Sequence, residues 1–234
     1  MLVFPWKNKA QFYAMKFILS KADFITSDSN YMSSVIKKIK HKQVLTFTFG
    51  LDRLPEYKEN RKDENLYFSN RMLSENYNID QVLENFALIY QENPNAQLLI
   101  SHKGEEEANL KALCGKLEIH KAVKFLGFLK EQEQIDLYQK AACYFSLPTS
   151  DSTSVSLLEA MAYGCIPLLS DIPANREWVI DGENGLLIKE QISLSKLARL
   201  MENRAEVIKQ NRGIISNRAL FPDLIKTFVN EITK

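Results

Sequence analysis

The chain has 234 residues, of which 45% are hydrophobic and 25% charged, the balance of a soluble globular protein able to bury a sizeable core. Its 30 Lys and Arg against 29 Asp and Glu leave a net charge of +1, so charge makes no case for nucleic acid or for an acidic partner. A local basic run remains at residues 36–42, IKKIKHK.

Cys114, Cys143 and Cys165 are odd in number, far apart and free of any C-x-x-C spacing, which predicts buried reduced thiols in place of a disulfide framework or a zinc site. His41, His102 and His120 are equally scattered, so no metal site is expected. The opening MLVFPWKNKAQF has no long apolar run ahead of its charges and does not read as a signal peptide. No stretch approaches the about 18 to 20 apolar residues that span a bilayer. The expectation is a cytoplasmic protein, free to touch the inner membrane face from one side.

In chain order, helical spacing of Phe12, Met15, Phe17 and Leu19 predicts a helix over 10–21. A short strand at 24–26 runs into Ser27-Asp28-Ser29, able to cap a helix over 30–40. Residues 44–49 alternate as a strand, and Gly50 ends it. Residues 51–64, with Pro55 and many charges, read as a linker. A second series follows: strand 66–69, helix 78–91, strand 97–100, helix 105–117, strand 123–125, helix 132–140, strand 143–147, helix 154–163, strand 166–169, a short element at 178–180, a turn at 181–185 and strand 186–188. Residues 193–234 read as helix broken at Gly213 and Pro222.

Short apolar strands alternating with helices predict parallel β-α-β units and an open, doubly wound α/β sheet. Ligands of such sheets bind beyond the carboxyl ends of the strands. That rule selects residues 69–71, 101–104, 127–130 and 148–154.

Residues 146–185 hold the densest constellation. A buried strand enters a loop of Pro, Thr and Ser that holds Asp151 and leads into a helix carrying Glu159 and closed by Gly164. The free amides and partial positive charge of a helix N-terminus suit a diphosphate. Glu159 lies among Leu158, Ala160 and Met161, where a carboxylate needs partners such as ribose or sugar hydroxyls. A plainer reading stands beside this one. Ser156-x-x-Glu159 also fits a capping box, and Asp151 or Ser154 fits a simple helix cap.

The run from Asp151 through Glu159-Ala-Met-Ala-x-Gly164-x-x-Pro167, then Glu177 and Asp181-Gly-x-Asn184-Gly185, resembles the donor-site signature of the family-4 retaining glycosyltransferases. Val123-x-Phe125-x-Gly127 and the strand ending in Arg71 resemble the family too, so the likeness covers about residues 65–190. Asn70, Arg71, Tyr77, Asn78, Ile79 and Asp80 are similar to one subset of it. The chain departs from the common pattern in Asp151 for Glu, in Ser152, Thr153 and Ser154 for Gly-aromatic-Gly, and in Tyr77 for a Lys.

The resemblance implies a Rossmann-like half of the two-domain GT-B architecture and a transferase acting in glycan or glycoconjugate synthesis. It implies a UDP- or GDP-linked sugar as substrate, no required cofactor, and a glycan or lipid-linked acceptor. Arg71 falls on the donor phosphates, Asp151 on the sugar hydroxyls and Glu159 on the ribose, these three being the catalytic set. Phe128 and Leu129 fall near the base, and Ser152, Thr153, Ser154, Val155 and Ser156 supply donors to the diphosphate. Lys103 and Lys130 are further phosphate candidates, although solvated surface lysines are the commoner case. Residues 1–55 resemble only the end of an acceptor domain and its hinge, 56–218 the donor domain and 219–234 a crossover helix. The apolar side of that helix (Leu224, Phe228, Ile232) is then expected to pack elsewhere or in a homodimer, and an N-terminal-domain partner is a further expectation. Two competing functions stay open. One is an inactive nucleotide-sugar-binding or subunit-interaction domain, and the other is a sugar-nucleotide epimerase, which the Glu-Ala-Met-Ala-x-Gly run disfavours.

Overall fold

A computed structural model describes residues 8–39 and 43–233. Lys40, His41 and Lys42 of the basic run, and Lys234 at the end, lie outside the described residues, as do residues 1–7.

The chain opens with α1 (Lys9–Lys21), capped by the Asn8 side chain on the amides of Ala10 and Gln11. Then come β1 (Thr26–Ser27), α2 (Asn30–Ile39) and β2 (Leu45–Thr46), with β1 and β2 paired in parallel. Leu19, Ile25, Ile36, Ile39 and Val44 form the small core of this unit. The strand expected over 44–49 shrinks to Leu45–Thr46. Beyond it the Phe47 amide still donates to the Ser27 carbonyl, and its ring packs against Phe221 and Phe228.

The main body contains β3 (Asp63–Ser69), α3 (Ile79–Glu92), β4 (Gln97–Ser101), α4 (Glu107–Lys116), β5 (Val123–Gly127), α5 (Glu131–Lys140), β6 (Ala141–Ser146), α6 (Val155–Ala162), β7 (Ile166–Ser170) and β8 (Leu186–Ile188). It ends in α7 (Leu194–Glu202), α8 (Arg204–Arg218) and α9 (Phe221–Ile232). Six strands form one parallel sheet in the order β5-β4-β3-β6-β7-β8. The chain winds outward from β3 through β5, returns beside β3 as β6 and winds outward the other way. The crevice between β3 and β6 is therefore the switch point of a doubly wound sheet, where strand-end loops diverge and leave room for a ligand.

Burial on both faces explains why these strands read as continuous apolar runs. Tyr67, Leu98, Ile100, Cys143, Phe145 and Leu168 face Val82, Leu83 and Phe86 of α3. Leu66, Phe68, Tyr144 and Leu169 face Tyr138, Leu157, Leu158, Met161 and Ile215 on the other side. The three thiols are buried and free.

Four expectations are corrected. Strand β3 begins at Asp63, inside the expected linker, and residues 59–61 form a single 3-10 turn. Residues 178–180 form no regular element. A 3-10 turn at Asn175–Glu177 precedes them, and the Ile180 amide donates to the Asn184 side chain where a strand partner would stand. Gly213 lies inside the unbroken α8, because one glycine costs an otherwise good helix only about 1 kcal/mol. Pro222 starts α9, since the first helical turn has amides to spare. The helical breaks fall at Asn203 and at residues 219–220. Helix α9 also has a partner within the chain. The Leu51 amide donates to the Ala219 carbonyl, the Phe221 amide donates to the Leu51 carbonyl, and Phe228 sits 5.0 Å from the Phe47 ring.

Candidate functional site

The carboxyl end of β3 leads into Asn70 and Arg71, both buried. Arg71 is held on three sides. Its Nη2 lies 2.5 Å from Asp151 Oδ2, its Nη1 donates to Ser154 Oγ at 2.8 Å, and its plane covers the Tyr77 ring at 4.4 Å. Its Nε is buried and finds no partner among the described residues. Tyr77 therefore forms the floor under the guanidinium. Burial opposes the Arg71 charge, but Tyr144 and Asp151 outweigh it and raise the pKa above the ordinary arginine value. Burial raises the Asp151 carboxyl, which Arg71 and the Ser152 amide only partly pull back. That amide donates to Asp151 Oδ1 at 3.0 Å.

The loop after β6 brings the next residues to the same crevice. The α6 cap is Ser154, whose Oγ accepts from the Leu157 amide. Asp151 caps nothing here, and Ser156 and Glu159 form no capping box, since both lie within the helix. Helix geometry leaves the amides of Val155 and Ser156 without helical partners. The Thr153 hydroxyl points the other way and donates to the Asp28 carbonyl at 3.0 Å. The Val155 side chain is exposed. Gly164 closes the helix with φ +80°, and a Cβ there would meet the Tyr57 ring at 2.5 Å.

Glu159 stands half-buried on the second turn of α6 and accepts from the Tyr138 hydroxyl at 3.1 Å. Burial raises its pKa, and the Tyr138 hydrogen bond lowers it in part. Behind it lies a polar layer unseen in the sequence. Asn70 Nδ2 donates to Tyr138 Oη at 2.8 Å and to Ser156 Oγ at 3.3 Å, while the Tyr144 hydroxyl donates to Asn70 Oδ1 at 2.7 Å. Tyr138 ends a charged helix and Tyr144 sits in an apolar strand, so neither stood out. Asn70 carried a signal through its place before Arg71.

Contacts thus join Arg71, Asp151, Ser152 and Ser154, and separately Ser156 with Glu159 through Asn70 and Tyr138. Phe128 and Leu129 follow β5, two strands from β3. Phe128 is exposed, with the His102 ring edge-on to it at 4.5 Å and Lys103 Nζ 6.0 Å from its centre. Lys130 is exposed at the start of α5.

The distal half of the long motif is scaffold. Asn184, fully buried, donates to the Trp178 carbonyl and to Asn211 Oδ1, and so ties the 181–185 turn to α8. Glu177 accepts from the Asn30 and Tyr31 amides at 3.0 and 2.7 Å and thereby caps α2 from across the molecule.

The family model of the glycosyl transferases group 1 matches residues 52–217. The GtfA subunit of a UDP-N-acetylglucosamine–peptide N-acetylglucosaminyltransferase from Streptococcus parasanguinis is 31% identical over 153 residues, 64% of this chain and 29% of that protein. The GtfA subunit of Streptococcus pneumoniae is 25% identical over 225 residues, 87% of this chain and 43% of that protein. The chain thus spans well under two thirds of these curated relatives. The crystal structure of pneumococcal GtfA with UDP and GlcNAc matches at TM-score 0.81 with 18% identity, covering 96% of this chain and 47% of that one. The S. aureus TarM complex with UDP also matches at 0.81, with 14% identity, over 94% of this chain and 46% of that one. Those two likenesses show the fold, a GT-B-type parallel sheet. The family match spans most of the sequence, from just after Leu51 to the end of α8, and the chain belongs to the group 1 glycosyl transferases.

Proposed function

We propose that this chain is the donor-binding half of a retaining glycosyltransferase that takes a UDP- or GDP-sugar. In this reading residues 56–218 bind the donor, residues 1–55 end the acceptor-side domain and its hinge, and residues 219–234 cross back onto it. The observation that carries the reading is Arg71 at the switch point, charged, walled by Tyr77 and Asp151, with a buried Nε unpartnered. An anion of two phosphates suits such a group. Neighbours of the same fold were solved with UDP, and the Anabaena HepE structure with UDP-glucose.

As the acceptor hydroxyl attacks the anomeric carbon, negative charge grows on the departing diphosphate. Arg71 presents a planar fork whose charge does not vary with pH. The amides of Val155 and Ser156 add donors at the positive end of α6. Asp151 exchanges its Arg71 contact for sugar hydroxyls and sets the ring's position, Glu159 receives the ribose, and Phe128 and Leu129 flank the base. The acceptor is a peptide for the GtfA proteins by their names. A second reading, a donor-binding subunit working with another chain, is favoured by the solved GtfA/B complex, which matches 95% of this chain.

Thermal shift and calorimetry with UDP, GDP and their sugars test the proposal. At least one nucleotide should stabilise the chain, and Arg71→Ala should weaken it roughly ten- to hundredfold, the loss of a charged hydrogen-bond pair. No stabilisation by any nucleotide, with Arg71→Ala indistinguishable from the parent, would overturn it.

A further inference from the structure

Donor binding as described leaves Asn70, Tyr138 and Tyr144 without a part. All three are buried, with exposures of 8%, 1% and 0%. Polar groups at that depth are costly unless bonded. Phenylalanine would fill both tyrosine sites with no polar atom to satisfy, yet two hydroxyls and an amide lie directly behind Arg71 and Glu159.

Their hydrogen bonds run in one direction. Arg71 is a donor only and so takes no proton from the Tyr144 hydroxyl. That hydroxyl therefore turns its own proton to Asn70 Oδ1, at 2.7 Å. With Oδ1 so used, Asn70 offers Nδ2 to Tyr138 Oη at 2.8 Å. Tyr138 then has one proton left and two acceptors, Glu159 Oε2 at 3.1 Å and the Ser156 carbonyl at 3.2 Å. An ionised Glu159 only accepts, so the chain of bonds ends there. The ring of Tyr138 is itself clamped, stacked on Tyr163 at 5.9 Å and 5°.

A glutamate's last torsion is broad, so a free carboxylate presents its oxygens in many planes. A hydrogen bond on one oxygen selects a plane and leaves the other oxygen for a ligand. We propose that Tyr138, oriented by Asn70, is a positioning residue that holds the Glu159 carboxylate for the ribose hydroxyls and keeps it in register with Arg71. This inference rests on the donor reading above, in which Glu159 takes the ribose. It makes Tyr138 and Asn70 part of nucleotide affinity without contact to the nucleotide, through preorganisation.

The test is calorimetric titration of the 234-residue chain with UDP and GDP and with the 2′,3′-dideoxy form of each. The parent should prefer the ribose form. Tyr138→Phe should lose about tenfold in affinity for the ribose form and little for the dideoxy form, so the preference collapses. Asn70→Ala, which leaves both tyrosines in place, should move the ratio the same way and carries the test alone if Tyr138→Phe does not melt cooperatively. Equal weakening of both forms would mean a purely structural role and would overturn the inference, as would a parent that binds both forms equally. A parent that binds neither nucleotide in any form would instead overturn the donor reading.

Discussion

Glu159 and Asp151 are half-buried carboxyls whose pKa values burial raises above the ordinary range. A raised Glu159 binds its proton more tightly in the folded chain than in the unfolded one. Its contribution to stability is thus complete below the unfolded value and lost as pH rises through the elevated folded value. Binding runs the opposite way, because the ionised carboxylate is the form that accepts a ribose hydroxyl. Acidification should therefore weaken UDP at a pH above the usual glutamate range, and Glu159→Gln should remove that step from the dependence of Kd on pH. Superimposable pH profiles for parent and variant would sink this assignment. Arg71, Asp151, Ser154 and Glu159 were each visible in the sequence by position and type. Their pairing was not, because Arg71 and Asp151 lie 80 residues apart and meet only across the sheet. Asn70 was visible by neighbourhood, and Tyr138 was not visible at all, since a tyrosine ending a charged helix is ordinarily a surface residue.

Among the helices, α8 shows how local rules and packing divide the outcome. Gly213 reads as a breaker, yet the helix runs from Arg204 to Arg218, anchored by the buried Val207, Ile208, Asn211 and Ile215. Arg212 fixes it further by donating to the carbonyls of Ala162 and Pro55. A Cβ at Gly213 would meet nothing within 4 Å. Gly213→Ala should therefore stabilise the protein by about 0.5–1 kcal/mol, chiefly by restricting the unfolded chain. Chemical denaturation measures this, and a lowered midpoint would contradict it. Helix α6 makes the complementary point. Several hydroxyls and Asp151 competed for its cap, and Ser154, directly before the first helical residue, took it while also accepting from Arg71.

Across the whole molecule, a few contacts among the described residues fasten the small unit holding α1, β1, α2 and β2 to the rest of the chain. Glu177 caps α2, Thr153 holds the Asp28 carbonyl, and Phe47 receives α9. The first of these spans 146 residues and adds to a local cap, since Ser29 Oγ already accepts from the Met32 amide at 3.1 Å. Glu177→Ala should release two amides, costing about 1 kcal/mol, and speed hydrogen exchange in Asn30–Ile39 while α3 stays protected. Unchanged exchange in α2 would show that the cap does not hold the unit. Exposed Tyr13, Phe17, Ile18 and Phe24 cluster on this unit, whose two short strands build only a small core.

By itself the sequence determined the alternation of strands and helices, the parallel α/β class and the loop chemistry around Asp151 and Glu159. Apolar period, caps and turn glycines act over a few residues and are written locally. Tertiary structure alone decided that β3 and β6 are neighbours, and so which of four strand-end loops share the crevice. It decided that Arg71 faces Asp151, that Tyr138 reaches Glu159 and that the 181–185 turn serves as scaffold. The physical reason is that strand order follows from covering both sheet faces at once, a condition on the whole chain that no local window carries.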